Sequence, residues 1–313
     1  MGPGIELIGK RVTIRLHDPE GGYRDIVGTL NSLTTLTRRD GTIATFDPAT
    51  VAYWREIQSK THIVGQGAPL SLRIREMEIA ANATWRAKEE VALGGWLLRA
   101  SGKFTLRANS VLPLGEPPYG NPGIEIEKAI NEVVEFYLSR KLTPVFHIPL
   151  PTYRELDFLL ESRGWQLKSN VHVMVADIAP KEITEVKSEE WSVSIKPSAQ
   201  WLALQHDEPL LELMSSSPAA YIQCCVNGHV VAVARCGRSE DWAVLSRLYV
   251  DPELRGKGLG YRALALLLNE AAKEGATKAL LQVDSGNTTA ISMYEKLGFT
   301  YHHTYLYRTF LGA

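Results

Sequence analysis

Two groups of residues toward the C-terminal end of the chain have the types and spacing that chemistry requires. The first is Arg255-Gly256-Lys257-Gly258-Leu259-Gly260, three glycines at alternate positions just before a stretch of helical periodicity. A loop that offers bare backbone N–H groups at a helix N-terminus binds anions, usually phosphate, because unpaired amides and helix dipole act together. Glycine lets the anion reach the amides without interference from Cβ. The spacing is neither G-x-G-x-x-G nor G-x-x-x-x-G-K-[ST], so dinucleotide and nucleoside triphosphate loops are set aside. The second group is Asn287, Ala290 and Tyr294. Three and four residues apart, they put an amide, a small residue and a phenol on one helical face. Each group alone also fits a plain turn or a core tyrosine.

These residues need particular elements to hold them. An apolar strand over 242–250 feeds the glycine loop, a long helix follows, and a further strand leads to a shorter helix ending at Gly298-Phe299. Upstream, Asn227-Gly228 between apolar runs predicts a hairpin. A similar order occurs earlier. Residues 74–85 are helical in spacing, as an amphipathic helix ending before Gly94-Gly95; strands follow over 96–101 and 104–112, then a Pro/Gly-rich loop over 113–123. A helix over 124–142, a strand over 145–148, a helix over 153–162, Gly164-Trp165 and a strand over 171–178 complete the series. The shared order predicts two copies of one α/β module, residues 66–180 and 190–313. In the first copy the glycine loop is replaced by Pro113-Leu114-Gly115-Glu116-Pro117-Pro118-Tyr119-Gly120. Proline removes N–H donors and Glu116 repels phosphate, so this copy is expected to bind no phosphate.

Residues 1–60 read differently. Val12, Ile14 and Leu16 alternate with Arg11, Thr13 and Arg15, the period of a half-buried strand. Asp40-Gly41 predicts a hairpin, and several short strands predict a small closed barrel resembling the SH3 type. A linker is expected over 59–70.

Bulk properties narrow the function. A chain of 313 residues holds more than one domain. A formal net charge of −1 argues against general nucleic-acid binding, which needs a basic surplus. Cys224, Cys225 and Cys236 have no metal-ligand spacing and make no disulfide framework; as free thiols they fit a reducing cytoplasm. No signal peptide, myristoylation pattern or membrane-spanning apolar run is present, and no metal site is expected.

Residues 250–260 together with Asn287-x-x-Ala290-x-x-x-Tyr294-x-x-x-Gly298-Phe299 resemble the GNAT (GCN5-related) N-acetyltransferases, in their acyl-CoA signature and their asparagine–tyrosine helix motif. The match is strong over 191–313. With the degenerate first copy and the N-terminal barrel, the chain is similar to bacterial tandem-GNAT proteins, some of them described as histone-type acetyltransferases. The resemblance implies an α/β (α+β) fold with mixed central sheets and acetyl-CoA as co-substrate. It places the pyrophosphate on the amides of Arg255, Gly256, Lys257, Gly258, Leu259 and Gly260, and the pantetheine arm on the backbone of Leu248, Tyr249 and Val250 and on Asn287. By the same resemblance Tyr294 would protonate the departing thiolate, and a primary amine (small amine, protein lysine or N-terminus) would attack directly in a ternary complex. Where several members carry a basic glutamate, this chain has Gln282, which leaves the base open among Glu212, Asp284, His302 and an ordered water. The resemblance also admits mycothiol-synthase-like acetylation of a cysteinyl conjugate, or a non-catalytic acyl-CoA sensor whose barrel recruits a protein.

Overall fold

Alternation at the N-terminus becomes a sheet with one buried face. The computed structural model describes residues 2–19, 21–38, 42–57, 64–116, 120–184 and 186–311. Its first strands are β1 (Arg11–His17), β2 (Tyr23–Ser32), β3 (Thr35–Thr37), β4 (Ile43–Thr45) and β5 (Val51–Glu56). Val12, Ile14 and Leu16 share a core with Ile26, Leu30, Leu36 and Phe46. The order is β4-β3-β2-β1-β5, and among the described residues no ladder joins β4 to β5. The expected closed, SH3-like barrel is therefore corrected to an open five-stranded sheet. Two features keep it open: β3 and β4 have only three residues each, and Asp47 caps a 3-10 turn over Pro48–Thr50 that separates β4 from β5. The Asp40-Gly41 hairpin, residues 59–63 of the linker and residues 117–119 of the Pro-rich loop lie outside the described residues.

Residues 1–62 and 63–313 form two compact units. The second begins with α1 (Leu70–Ala83), β6 (Glu89–Leu93), β7 (Trp96–Ala100), β8 (Val111–Pro113), α2 (Ile126–Ser139), β9 (Val145–Leu150), α3 (Arg154–Ser162) and β10 (Gln166–Asp177). It continues through β11 (Glu190–Ser194), α4 (Ala199–Ala203), α5 (Leu211–Met214), β12 (Ala219–Val226), β13 (His229–Ser239) and β14 (Trp242–Val250). The last elements are α6 (Leu259–Lys273), β15 (Lys278–Asp284), α7 (Thr288–Lys296) and β16 (Thr300–Thr309).

The expected helix ends before Gly94-Gly95, at Ala83, and β6, a strand not expected there, pairs with β7 around Gly94, whose φ is +55° and whose Cβ would lie 1.7 Å from the Pro122 carbonyl oxygen. One expectation is corrected here. The strand predicted over 104–112 is mostly an irregular segment. There Asn109 donates to the Thr105 carbonyl at 2.7 Å and accepts from the Ser101 amide at 2.7 Å, replacing a ladder with side-chain bonds.

One 11-stranded sheet runs through the second unit in the order β11-β12-β13-β14-β15-β10-β16-β9-β8-β7-β6. Only β14–β15 and β8–β9 are parallel. The arrangement is nearly symmetric about its centre, and the centre is crossed: β10 pairs with β15, while β16 pairs with β9. Each half thus completes its sheet with a strand from the other. On one face α6 buries Ala263, Leu264, Leu267, Leu268 and Ala271 against Leu245, Leu281 and Val283. On the other, α1 places Met77, Ala80 and Ala81 with Val244, Leu280 and Tyr305. No helix among the described residues is long and apolar enough to cross a membrane.

Candidate active site

The site is a cleft where two parallel strands part. β14 and β15 pair only from Trp242↔Lys278 to Leu245↔Leu281. Beyond that point β14 carries a bulge. Val233 faces Tyr249 and Arg235 faces Ser246, so Ala234 alone stands opposite Arg247 and Leu248. Arg247 takes the extra position with φ +55°, a conformation unusual for a non-glycine residue. Its surroundings fix it there. The Arg247 Nε donates to Asp207 Oδ2 at 2.8 Å, its terminal nitrogen donates to Gln205 Oε1 at 3.0 Å, and Gln205 Nε2 donates to the Arg247 carbonyl at 3.0 Å.

The parted strands leave a cavity of about 220 Å³, and Leu248, Gln282, Asp284, Asn287 and Tyr294 all line it. Asn287 caps α7, accepting from the Ala290 amide at 3.1 Å, which leaves its NH2 without an acceptor among the described residues. Tyr294 sits two turns along, edge-on to Phe299 with ring centroids 6.2 Å apart. Its hydroxyl makes no hydrogen bond to a described residue. Burial pushes the phenol up to about 12, so it remains a proton donor at any physiological pH. Asp284 is exposed and accepts from the Gly286 amide through Oδ1 at 2.9 Å. Of the other base candidates, Glu212 ion-pairs with Lys88, and His302 is bonded to Arg73 and His303; neither lines the cavity. The thiol of Cys236 is buried and pushed up to about 12 by that burial, so it is no nucleophile.

The glycine loop flanks this cleft at the end of β14. Asp251 caps a 3-10 turn over Pro252–Leu254, and the Arg255 Nε returns to donate to the Val250 carbonyl at 3.0 Å. Gly258, at φ +80°, forms the N-cap of α6 without any side-chain cap. The amides of Gly256 through Tyr261 have no acceptor among the described residues, the condition that makes a helix start an anion site. Gly260 packs closely, since a Cβ there would lie 3.1 Å from Met293 Sδ. The corresponding helix of the first half differs. Glu125 caps α2 and accepts from the amides of Glu127 at 2.9 Å and Lys128 at 2.6 Å, so a carboxylate of the chain already occupies that start. Glu116, expected to repel phosphate, is ion-paired with Arg75 at 3.2 Å.

Other residues of the cleft carry weaker signals in the sequence. Arg247 interrupts an apolar run, which marks a bulge only in hindsight of the register. Ser246 lines the cavity with a buried, unpartnered hydroxyl, and Arg107 enters from the segment between β7 and β8. Nothing local distinguishes Arg107 from a surface arginine.

Comparisons with known proteins agree with this geometry. The family described as "Probable histone acetyltransferase Rv0428c C-terminal" matches residues 72–308. The chain is similar to the probable histone acetyltransferase Rv0428c of Mycobacterium tuberculosis (strain ATCC 25618 / H37Rv), 30% identical over 317 residues, covering 96% of this chain and 94% of that protein. A GCN5-related N-acetyltransferase from Kribbella flavida shares the fold with TM-score 0.60 at 16% identity, over 77% of this chain and 96% of that one. A tandem GNAT protein from the clavulanic acid biosynthesis pathway gives TM-score 0.52 at 11% identity, over 76% and 87%. Parted strands, an uncapped helix start and a matched family together place this chain in the Rv0428c-type acetyltransferase family, with the fold and enzyme class of the GNAT N-acetyltransferases.

Proposed function

We propose that the chain transfers the acetyl group of acetyl-CoA to a primary amine by direct attack in a ternary complex. The observation that carries the reading is the cleft itself: one unpartnered, high-pKa phenol, Tyr294, stands in it, and the open amides of Gly256–Tyr261 flank it. Those amides, with Arg255, hold the pyrophosphate. Past Leu245 the backbone of β14 no longer pairs with β15, which frees groups of Leu248, Tyr249 and Val250 for the pantetheine amides and the acetyl carbonyl oxygen. The free NH2 of Asn287 serves the same arm.

The amine nitrogen attacks the acetyl carbonyl carbon. The new C–N bond forms as the C–S bond breaks, and Tyr294 delivers its proton to the leaving sulfur. Asp284, the one carboxylate lining the cavity, takes the proton lost by the amine, directly or through a water. No covalent acyl-enzyme is needed. We read residues 66–180 and 190–313 as two copies of the fold, of which only the second binds acetyl-CoA, because Glu125 fills the helix start of the first. The free thiols suit a cytoplasmic enzyme.

The test is an acetyl-transfer screen read by free CoA, run over small amines, amino acids and peptides, alongside calorimetric titration of acetyl-CoA. Binding of one acetyl-CoA per chain with transfer to some amine class is expected. Binding without transfer to any of them would leave a sensor, and two bound molecules per chain would refute the assignment of the first half.

A further inference from the structure

Arg107 is a cation in the cleft that no described carboxylate pairs with directly. It lines the cavity, and among the described residues it has neither ion pair nor hydrogen bond; its Nε is buried and unpartnered. Its guanidinium lies over the face of Trp85, 5.4 Å from the ring centroid, and its charge is felt by the buried phenols of Tyr305 and Tyr307. The other charged residues of the cavity are Arg247, already held by Asp207, and Asp284, whose Oδ1 is taken by Gly286. Arg107 is half-buried with its Nε shut off from water and unpartnered, and a guanidinium's fork is shaped for carboxylate or phosphate.

Position decides which reactant that oxyanion belongs to. Along β15, Leu281 and Val283 pack on the α6 face, while Leu280 packs on the α1 face; by the period of two, Gln282 and Asp284 share the face of Leu280. Leu106, next to Arg107, packs on that same α1 face. Arg107 therefore approaches from across the sheet, away from the amides at the start of α6. It serves the acceptor, not the pyrophosphate.

A second cavity extends the same field. On the other flank of the segment that carries Arg107, Lys103, Lys141 and Lys168 line about 320 Å³ together with Thr105 and Asn109, and no acidic residue lines it. None of the three lysines has an ion pair among the described residues. Lys168 lies on β10 just beyond Val171, the partner of Asp284, so this cavity opens at the same end of the sheet as the cleft.

We propose that the acceptor is an anionic amine, one whose carboxylate or phosphate group is held by Arg107 and drawn in by the lysine-lined cavity beside it. The inference rests on the acetyl-transfer reading and narrows its substrate class: lysine-rich segments are disfavoured by this field, and amines bearing an oxyanion are selected.

Matched pairs test it. Initial rates are compared for β-alanine against β-alaninamide and for phosphoethanolamine against ethanolamine, with spermidine and a lysine-rich peptide as cationic acceptors. The wild-type protein is expected to favour the anionic member by about tenfold or more in kcat/KM, and the two pairs distinguish carboxylate from phosphate. In Arg107→Met the preference should collapse through a raised KM for the anionic amine, with Arg107→Lys intermediate and acetyl-CoA affinity unchanged. Equal use of both members, or preference for the cationic acceptors, by the wild-type protein overturns the inference without any variant. Equal losses on both members in Arg107→Met would make Arg107 a packing residue on Trp85 and overturn it too. Calorimetry separates the layers: a chain that binds no acetyl-CoA sinks the transfer reading and the inference with it, whereas binding and turnover without anion preference sink the inference alone.

Discussion

The hydroxyl of Tyr305 donates to Oε1 of Gln282 at 3.4 Å, reaching from β16 past β10 to β15. Gln282 is thus tied into the sheet, and Asp284, two residues on and on the same face, is the carboxylate that remains in the cleft. Asp284→Asn is expected to lower kcat by about a hundredfold, the usual scale for loss of a general base, with acetyl-CoA affinity preserved. Gln282→Ala should cost far less. Steady-state rates with saturating acetyl-CoA check both, and the reverse ranking would move the base from Asp284 to an ordered water held by Gln282.

In the proposed reaction, Tyr294→Phe removes a proton donor used only as the thiolate leaves. A fall in kcat of about a hundredfold with unchanged acetyl-CoA affinity is expected. Because burial pushes this phenol up to about 12, the wild-type rate should show no alkaline loss from Tyr294 ionisation until the pH approaches that value. Equal loss of binding and turnover in the variant would make Tyr294 a packing residue.

Gly258 combines φ +80° with a close neighbour: a Cβ would lie 2.8 Å from a terminal nitrogen of Arg262. That arginine holds the Lys257 carbonyl at 2.9 Å and Glu189 at 2.8 Å, so displacing it unsettles the loop. Gly258→Val should abolish acetyl-CoA binding in calorimetry and cost about 1–3 kcal/mol of stability from backbone strain. Gly258→Asn, which tolerates the left-handed region, should retain more of both.

Acidification should destabilise the protein through His302. Burial, reinforced by His303 and Arg73, pushes its imidazole down to about 4 from the ordinary 6.5. Above 6.5 it is neutral in both states and contributes nothing. Between 6.5 and 4 the unfolded chain binds the proton that the folded one refuses, so stability falls as pH falls through that window. Melting temperatures measured from pH 7 to 4 should decline, and His302→Gln should flatten part of the slope. His147, which burial also lowers, and the paired carboxylate of Glu78 contribute to the rest. An unchanged slope in the variant would remove His302 from the account.

Much of the site could be read before any coordinates. Glycines at alternate positions, and an asparagine, alanine and tyrosine on one helical face, are local patterns, and local patterns are what periodicity reports. The cleft itself depends on where β14 leaves β15, and that is set by a bulge at Arg247 held by Asp207 and Gln205, residues distant in sequence. Arg107 was invisible for the same reason: its meaning comes from the sheet that brings the two halves together. Closure of the N-terminal strands failed as an expectation because alternation predicts strands but not their end-to-end pairing. The strand β6 is not legible because charged residues, Glu89 and Glu90, stand at a sheet edge where polar side chains are tolerated.

The crossing of β10 and β16 has a consequence for how this protein is made and how it can evolve. As the chain leaves the ribosome, β10 appears well before either of its neighbours, β15 and β16, has been synthesised. The first half therefore cannot finish its own sheet during translation, and its open edge must wait for the second. In a lineage, neither half can be deleted or exchanged alone without stripping a central strand from the half that stays. The first half is retained by the sheet it completes, whatever else it does or does not bind.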